Sequence, residues 1–348
     1  MINTFTPENG ATVSLQNERV KLFYKMYEAR GADFPEGARP WVNLSRDGDG
    51  NRPEPVIFSW NTDIPWDKYN FSVHIAANPD FSDEKVYAVP REGAALPVCN
   101  LEIGRKYFWY VENRGEAAER SEIASFVTAD EYPRAVFIDP QTINMRDVGG
   151  LYNIDGRRVR QGVLYRGANI DKERTPSEDG FGRLTGELGV RTDIDLRGND
   201  FTTPPERHPL AEVMKRVIFP LDGYDRTVAD EAERAVLGDV FRLLCDESVY
   251  PALIHCGAGT DRTGTAVFLL GLALRIDVER LVLDYELSSL SLSGWEGRNR
   301  RPVLAMAEEI RNFGSANDDI YACTEKFFDK GLGLPDGPEA LRRIFLEP

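Results

Sequence analysis

Cysteine and histidine are scarce in this chain. Its 348 residues hold four cysteines (Cys99, Cys245, Cys256, Cys323) and three histidines (His74, His208, His255). Four cysteines in so long a chain cannot form the dense disulfide framework that supports small secreted domains. Neither residue type has the spacing of a zinc site, so no metal and no cofactor is expected. Long apolar runs are also missing. The longest, Ala266–Leu274, falls far short of the ~20 residues needed to span a bilayer, so no membrane span is expected. The N-terminal MINTFTPENG has neither a basic n-region nor an apolar h-region, which argues against a signal peptide and for a reducing, cytoplasmic setting. An excess of positive charge is absent too: the formal net charge is -15. Residues 1–134 carry 15 Lys+Arg against 21 Asp+Glu, and the remainder 27 against 36. Neither half has the basic surface that nucleic acid requires.

The length and the 42% of hydrophobic residues suit a soluble chain of two domains. Up to about residue 132 the pattern is of short strands without intervening helices. Val56–Trp60, Tyr69–Ile75 (with Tyr69, Phe71, Val73 and Ile75 on one face), Tyr107–Val111 and Ile123–Val127 are separated by turn-rich segments, the pattern of a β-sandwich. His74 reads as part of a strand face, and Val20–Tyr27 fits either strand or helix. Residues 130–138, with Pro133, read as a linker. Beyond it strands (162–166, 188–196, 213–221, 251–255) alternate with helical patterns (183–189, 230–246, 265–276, 278–290, 303–313, 320–330, 338–345). Such alternation predicts an α/β domain with a mostly parallel sheet flanked by helices. The expected division is therefore 1–132 and 133–348.

The chemistry concentrates at His255–Gly264, HCGAGTDRTG. An apolar strand precedes it and an apolar helix follows, so the motif is a strand-to-helix turn at the carboxyl end of a strand, where α/β sheets bind ligands. Free N–H groups and the helix dipole make such a turn an anion site. Cys256 and Arg262 stand in a Cys-X5-Arg frame. The cradle that holds a phosphoryl group on the N–H groups of Gly257, Ala258, Gly259, Thr260 and Gly264 also favours the Cys256 thiolate. Arg262 can grip two phosphoryl oxygens in its planar fork. A cysteinyl-phosphate intermediate is the expected consequence, with the Thr263 hydroxyl stabilising the thiolate when it leaves. His255 orients the loop.

His255–Gly264 resembles the signature of the protein tyrosine phosphatase superfamily, and specifically a bacterial branch with the pattern HCxAGKDRTG that includes enzymes acting on phosphoinositides. Asn144–Gly150 (NMRDVGG), Gly162–Arg166 (GVLYR) and Asp195–Arg197 (DLR) resemble further motifs of that branch. The resemblance implies that Asp261, within the loop, serves as general acid. Asp222, 34 residues before Cys256 after a strand, is its rival, similar to the mobile-loop aspartate of other tyrosine phosphatases. Thr260 replaces a lysine of the pattern that would add charge at the pocket rim. The acidic residue often found a few positions after the DLR motif has only Asp200 to match it. Asp195 and Arg197 fit substrate contact or a structural brace, and Arg146 and Asp147 a structural role. Arg298, Arg300 and Arg301, after Trp295, fit the solvated start of a helix better than a pocket wall, and the helices from Val278 onward could cap the site. Leu101–Tyr107 resembles the tyrosine corner of fibronectin type III and immunoglobulin-like domains, which would leave the sandwich to bind a partner or mediate dimerisation. The implied substrate is a phosphorylated protein or small phosphomonoester. An inositol-phosphate phosphatase, a phosphate-binding pseudo-enzyme and a sulfurtransferase are the alternatives.

Overall fold

The computed structural model describes residues 1–30, 49–65, 68–90, 93–115, 118–198, 212–291 and 298–348. Asp200, His208 and Trp295 lie outside them. The chain divides into two compact units. The first comprises residues 1–16 and 53–134, the second residues 17–52 and 135–348. The expected single boundary at 132/133 does not describe this division, because the described residues 17–30 and 49–52 group with the second unit.

The first unit contains β1 (Asn3–Thr6), β2 (Ala11–Val13), β3 (Val56–Asn61), β4 (Phe71–Ala76), β5 (Lys85–Ala88), β6 (Ala95–Val98), β7 (Lys106–Asn113), β8 (Glu119–Arg120) and β9 (Ala124–Thr128). One sheet runs β1-β3-β6; the other runs β2-β9-β7-β4-β5, with β8 pairing to β7. Alternation along β3 sends Val56, Phe58 and Trp60 inward and leaves Ile57 exposed. The two sheets share one aromatic core, in which Phe58 meets Trp109 and Phe126 edge-on. On the opposite face of β4, His74 stacks on Tyr110 at 4.4 Å, with Nδ1 2.9 Å from Glu84 and Nε2 3.0 Å from Ser72. The Tyr107 hydroxyl accepts a 2.9 Å hydrogen bond from the Glu102 N–H, tying the start of β7 to the preceding corner.

The second unit opens with α1 (Glu18–Arg30), which settles Val20–Tyr27 as helix. Asn17 starts it by accepting from the N–H groups of Arg19 and Val20, and Val20 and Phe23, one turn apart, are buried. The sheet has the order β10-β11-β14-β12-β13, with β10 (Arg146–Asp147), β11 (Leu164–Gly167), β12 (Thr192–Asp195), β13 (Lys215–Ile218) and β14 (Ala252–His255). All pairings are parallel except that of β10 with β11. The central strands β11, β12 and β14 are buried throughout, as a sheet covered on both faces requires.

The helices after α1 are α2 (Glu178–Gly182), α3 (Tyr224–Ala229), α4 (Glu231–Leu244), α5 (Asp261–Ala273), α6 (Val278–Leu287), α7 (Arg301–Arg311), α8 (Ile320–Lys326) and α9 (Gly337–Phe345). Asp230 caps α4, whose Leu237, Val240, Phe241 and Leu244 form the buried stripe. Every residue of α5 from Thr263 to Ala273 is buried. Contacts with β14, α3, α6, α7, α8 and α9 surround this helix, which explains an apolar sequence with no polar stripe. No helix among the described residues is long and apolar enough to cross a membrane.

Replacing Tyr107 with Phe removes the acceptor of the part-buried Glu102 N–H, and is expected to cost about 0.5–1.5 kcal/mol. Denaturant unfolding followed by Trp fluorescence, which reads Trp60 and Trp109 in the first unit, measures the loss.

Candidate active site

The site is built at the carboxyl end of β14, between β11 and β12 in the sheet. After His255 and Cys256 the chain turns through Gly257–Thr260 into α5, which starts at Asp261. The turn depends on close approach. Gly259 has φ +70°, and a Cβ there would lie 2.2 Å from the Gly167 carbonyl, so only glycine fits.

Donors behind the loop take its carbonyls one by one. His255 Nδ1 lies 3.2 Å from the Cys256 carbonyl oxygen, and the Asn169 N–H donates to the Gly257 carbonyl at 3.3 Å. Asn144 Nδ2 donates to those of Ala258 and Gly259, both at 3.1 Å. Arg166 also donates to Gly259, at 2.9 Å, and the Gly264 N–H reaches Thr260 at 2.7 Å. A loop with its carbonyls committed outward presents N–H groups on its other side, and those of Thr260 and Thr263 favour the ionised Cys256 sulfur. Cys256 is 3% exposed. Burial alone would raise its thiol pKa. The Thr263 hydroxyl and N–H, the Arg262 guanidinium and the Thr260 N–H outweigh burial and hold it below the ordinary value. The Thr263 hydroxyl is buried with no hydrogen-bond partner, and it is among the groups that favour the Cys256 thiolate.

Arg262, Arg197 and Gly257 line one side of a cavity of about 300 Å³, completed by Asn169, Lys172, Glu173 and Arg174. Cations dominate this lining, although the protein as a whole is acidic. Beneath it lies a buried charge network. Asp195 has both oxygens on Arg197, at 2.9 and 2.8 Å, and bonds Arg216 as well. Asp171 meets Arg197 at 2.9 Å and Arg216 at 3.4 Å. Asp193 lies 3.4 Å from Arg216 and 2.7 Å from His255 Nε2. Three carboxylates face two guanidiniums, so the group is neutral only with His255 as an imidazolium. Burial alone would lower the His255 pKa, but Asp193 and Asp195 raise it to about 9. Asp195 is in turn held down at about 2, where His255, Arg197 and Arg216 overcome its burial. A second brace stands under the loop. Asp284 binds Arg146 at 2.7 Å and also Arg166, and Arg146 meets Asn144 Oδ1 at 2.5 Å.

The sequence model of the tyrosine phosphatase family matches residues 140–347, more than half of the chain and the whole of this site. The chain belongs to the tyrosine phosphatase family. A Cupriavidus necator protein named as a tyrosine-protein phosphatase is 30% identical over 170 residues, covering 41% of this chain and 59% of that protein. The chain thus spans less than two thirds of that relative's length. Two structures of the Siw14 catalytic core are similar over smaller parts. One, from S. cerevisiae and described as a PP-IP phosphatase with citrate, has TM-score 0.30 and 18% identity, covering 38% of this chain and 75% of that one. The other has TM-score 0.29 and 16% identity, covering 36% and 70%.

The remaining residues singled out in the sequence fall in different places. Thr260 is fully buried, its hydroxyl 3.5 Å from Asn144 Nδ2, so the side chain at 260 turns behind the loop and not toward a pocket rim. Asp195 braces Arg197. Arg146 and Asp147 are buried supports. Asp261, in the first turn of α5, accepts from Arg298 through both oxygens at 2.7 and 3.0 Å and from the Tyr224 hydroxyl. Tyr224 also meets the Tyr285 hydroxyl at 2.7 Å. Arg298 therefore holds Asp261, whereas Arg300 meets Tyr27 at 2.6 Å and Glu279 at 3.2 Å. Asp222 lies on the loop whose Gly223 packs beside Arg262, but its half-exposed carboxylate pairs with Arg226 at 3.0 Å. Arg216, Asp171, Asp193 and Asp284 escaped sequence reading. The signal for them is a charge placed on, or against, a buried strand, as in Thr192–Asp195.

The His255 pKa is raised from 6.5 to about 9. Its stabilising contribution is therefore fully present below about pH 6.5 and is lost as pH rises through about 9. Urea unfolding across that window should show the decline, and His255→Gln should flatten it.

Proposed function

We propose that this phosphatase hydrolyses phosphomonoesters, phosphotyrosine foremost, through a cysteinyl-phosphate on Cys256. The observation that carries this reading is a buried thiol held below its ordinary pKa inside an amide-lined loop, with Arg262 at its rim. The Cys256 thiolate attacks phosphorus, forming the S–P bond as the P–O bond to the leaving group breaks. Arg262 and the loop N–H groups hold the equatorial oxygens as charge develops on them. Asp261 protonates the departing oxygen, which requires it to release Tyr224 or Arg298, since both its oxygens are engaged. Water then attacks phosphorus with Asp261 taking its proton. The S–P bond breaks, Thr263 stabilises the thiolate, and inorganic phosphate leaves. Asp222 is the rival donor, because its loop packs beside Arg262.

Lys172, Arg174 and Arg197 in the cleft favour a second reading, in which inositol phosphates are substrates, since these carry anionic groups beyond the scissile one. We read the first unit as a fibronectin type III or immunoglobulin-like sandwich. Its support is the Tyr107–Glu102 bond and the aromatic core shared by the two sheets.

Hydrolysis of an aryl phosphate should proceed in EDTA, be inhibited by vanadate, and vanish in Cys256→Ser. Turnover by Cys256→Ser at the wild-type rate would overturn the mechanism. Arg262→Lys should lose most activity with the planar fork. Replacing the true proton donor should cost about 10²–10⁴-fold with a poor leaving group and remove one limb of the pH profile. Comparing Asp261→Asn with Asp222→Asn identifies it. A panel of phosphotyrosyl peptides against inositol phosphates, repeated with Lys172→Ala and Arg174→Ala, separates the two substrate readings.

A further inference from the structure

We infer that Asp49, from the stretch of chain that precedes most of the sandwich, is a positioning residue for the candidate phosphate loop, acting through Asn144. This assignment rests on the reading of that loop given above. Asp49 Oδ2 accepts from the Asn144 N–H at 3.1 Å. Its Oδ1 accepts from the Ser291 hydroxyl at 2.5 Å and from the Asn51 N–H at 3.0 Å. Asn144 has φ +60°, a left-handed conformation that asparagine tolerates better than most side chains but that is still uncommon outside glycine. Asp49 helps to hold it at the backbone N–H. The Asn144 side chain then reaches the Ala258 and Gly259 carbonyls, while its Oδ1 is held by Arg146 at 2.5 Å. One relay of hydrogen bonds thus runs from Asp49 to the loop that surrounds Cys256.

The seat of Asp49 is specific. The Gly50 N–H donates to the Leu290 carbonyl at 2.9 Å, and a Cβ on Gly50 would lie 2.8 Å from that oxygen. The chain can approach Ser288–Ser291 this closely only because residue 50 is glycine. Placing Asp49 here is costly. Burial raises its pKa above the ordinary value even against the Ser291, Asn51 and Asn144 donors, so an ionised Asp49 does not stabilise the fold by itself. What it secures is the conformation of Asn144.

The test uses the full chain. Without Asp49 the Asn144 N–H loses its acceptor, Asn144 relaxes toward an ordinary φ, and the Ala258 and Gly259 carbonyls lose the Asn144 amide, keeping only Thr260 and Arg166. Asp49→Ala and Asn144→Ala should each weaken vanadate inhibition about five- to hundredfold. Each should also move the pH profile of Cys256 alkylation by iodoacetamide upward. The double variant should match the weaker single variant, because both act through one relay. Gly50→Ala, which lifts the segment without touching a carboxylate, should move both readouts in the same direction, as should Ser291→Ala to a smaller extent. These two variants decide the matter if Asp49→Ala fails to fold. Ile310→Val, a change in the buried core of α7, should lower the melting temperature and leave both readouts in place. An alkylation profile for Asp49→Ala or Gly50→Ala that superimposes on a shifted wild-type profile overturns the role of Asp49, as would single effects that multiply in the double variant. A wild-type thiol that titrates at its ordinary value overturns the reading of the loop itself, and Asp49's role with it.

Discussion

Backbone N–H groups can encircle an anion only if the carbonyls of the same peptides are held facing the other way, and much of the second unit is arranged to hold them. Asn144, Arg166, Asn169 and His255 stand behind the loop and take its carbonyls. These residues come from the segment before β10, from β11, from the turn after β11 and from β14 itself, so the loop is a product of the whole sheet. Its curvature needs Gly259 against Gly167, and its depth needs α5 to be buried on all sides. Loosening any support would let the carbonyls rotate, and the same rotation would remove both the anion site and the stabilisation of the Cys256 thiolate.

The second constraint is electrostatic neutrality below the loop. Charges as deeply buried as Asp193, Asp195 and Arg216 are tolerated only when paired, and the pairing closes when His255 carries a proton. Arg197 belongs both to this network and to the lining of the cleft. Its guanidinium is held by Asp171 and Asp195, so it stands in the cleft as a fixed charge with little rotamer freedom. Asp261 is fixed in a comparable way by Arg298, Tyr224 and Tyr285. The site therefore combines a loop whose carbonyls are all held from behind with a carboxylate whose oxygens are both engaged.

Much of this was legible in the amino-acid sequence because it depends on short-range pattern. The alternation of β3 and β4, the strand–turn–helix around Cys256 and the α/β succession after residue 135 each express a local periodicity. The DLR and NMRDVGG segments marked residues that do gather at the loop, although their partners could not be read. Asp193 against His255, Asp284 under two arginines and Arg298 on Asp261 are pairings across many residues of sequence, and no spacing rule encodes them. Position 260 misled because sequence reveals neither which side of a turn a side chain takes nor what stands behind it. The single boundary near residue 132 missed α1 for a related reason: its sequence pattern fits many surfaces, and only tertiary contacts such as those of Tyr27 with Glu279 on α6 and with Arg300 assign it to the second unit.

The sequence by itself determined the elements, the turn that bears Cys256 and Arg262, and the glycines without which that turn cannot close, because backbone sterics and side-chain periodicity act over a few residues. Tertiary structure alone decided how the buried charges pair, which side of the loop Thr260 faces, what grips Asp261, and that Asp49 reaches Asn144. Those outcomes depend on distances between residues far apart in the chain and on the loss of water around them, and both come into being only when the chain folds.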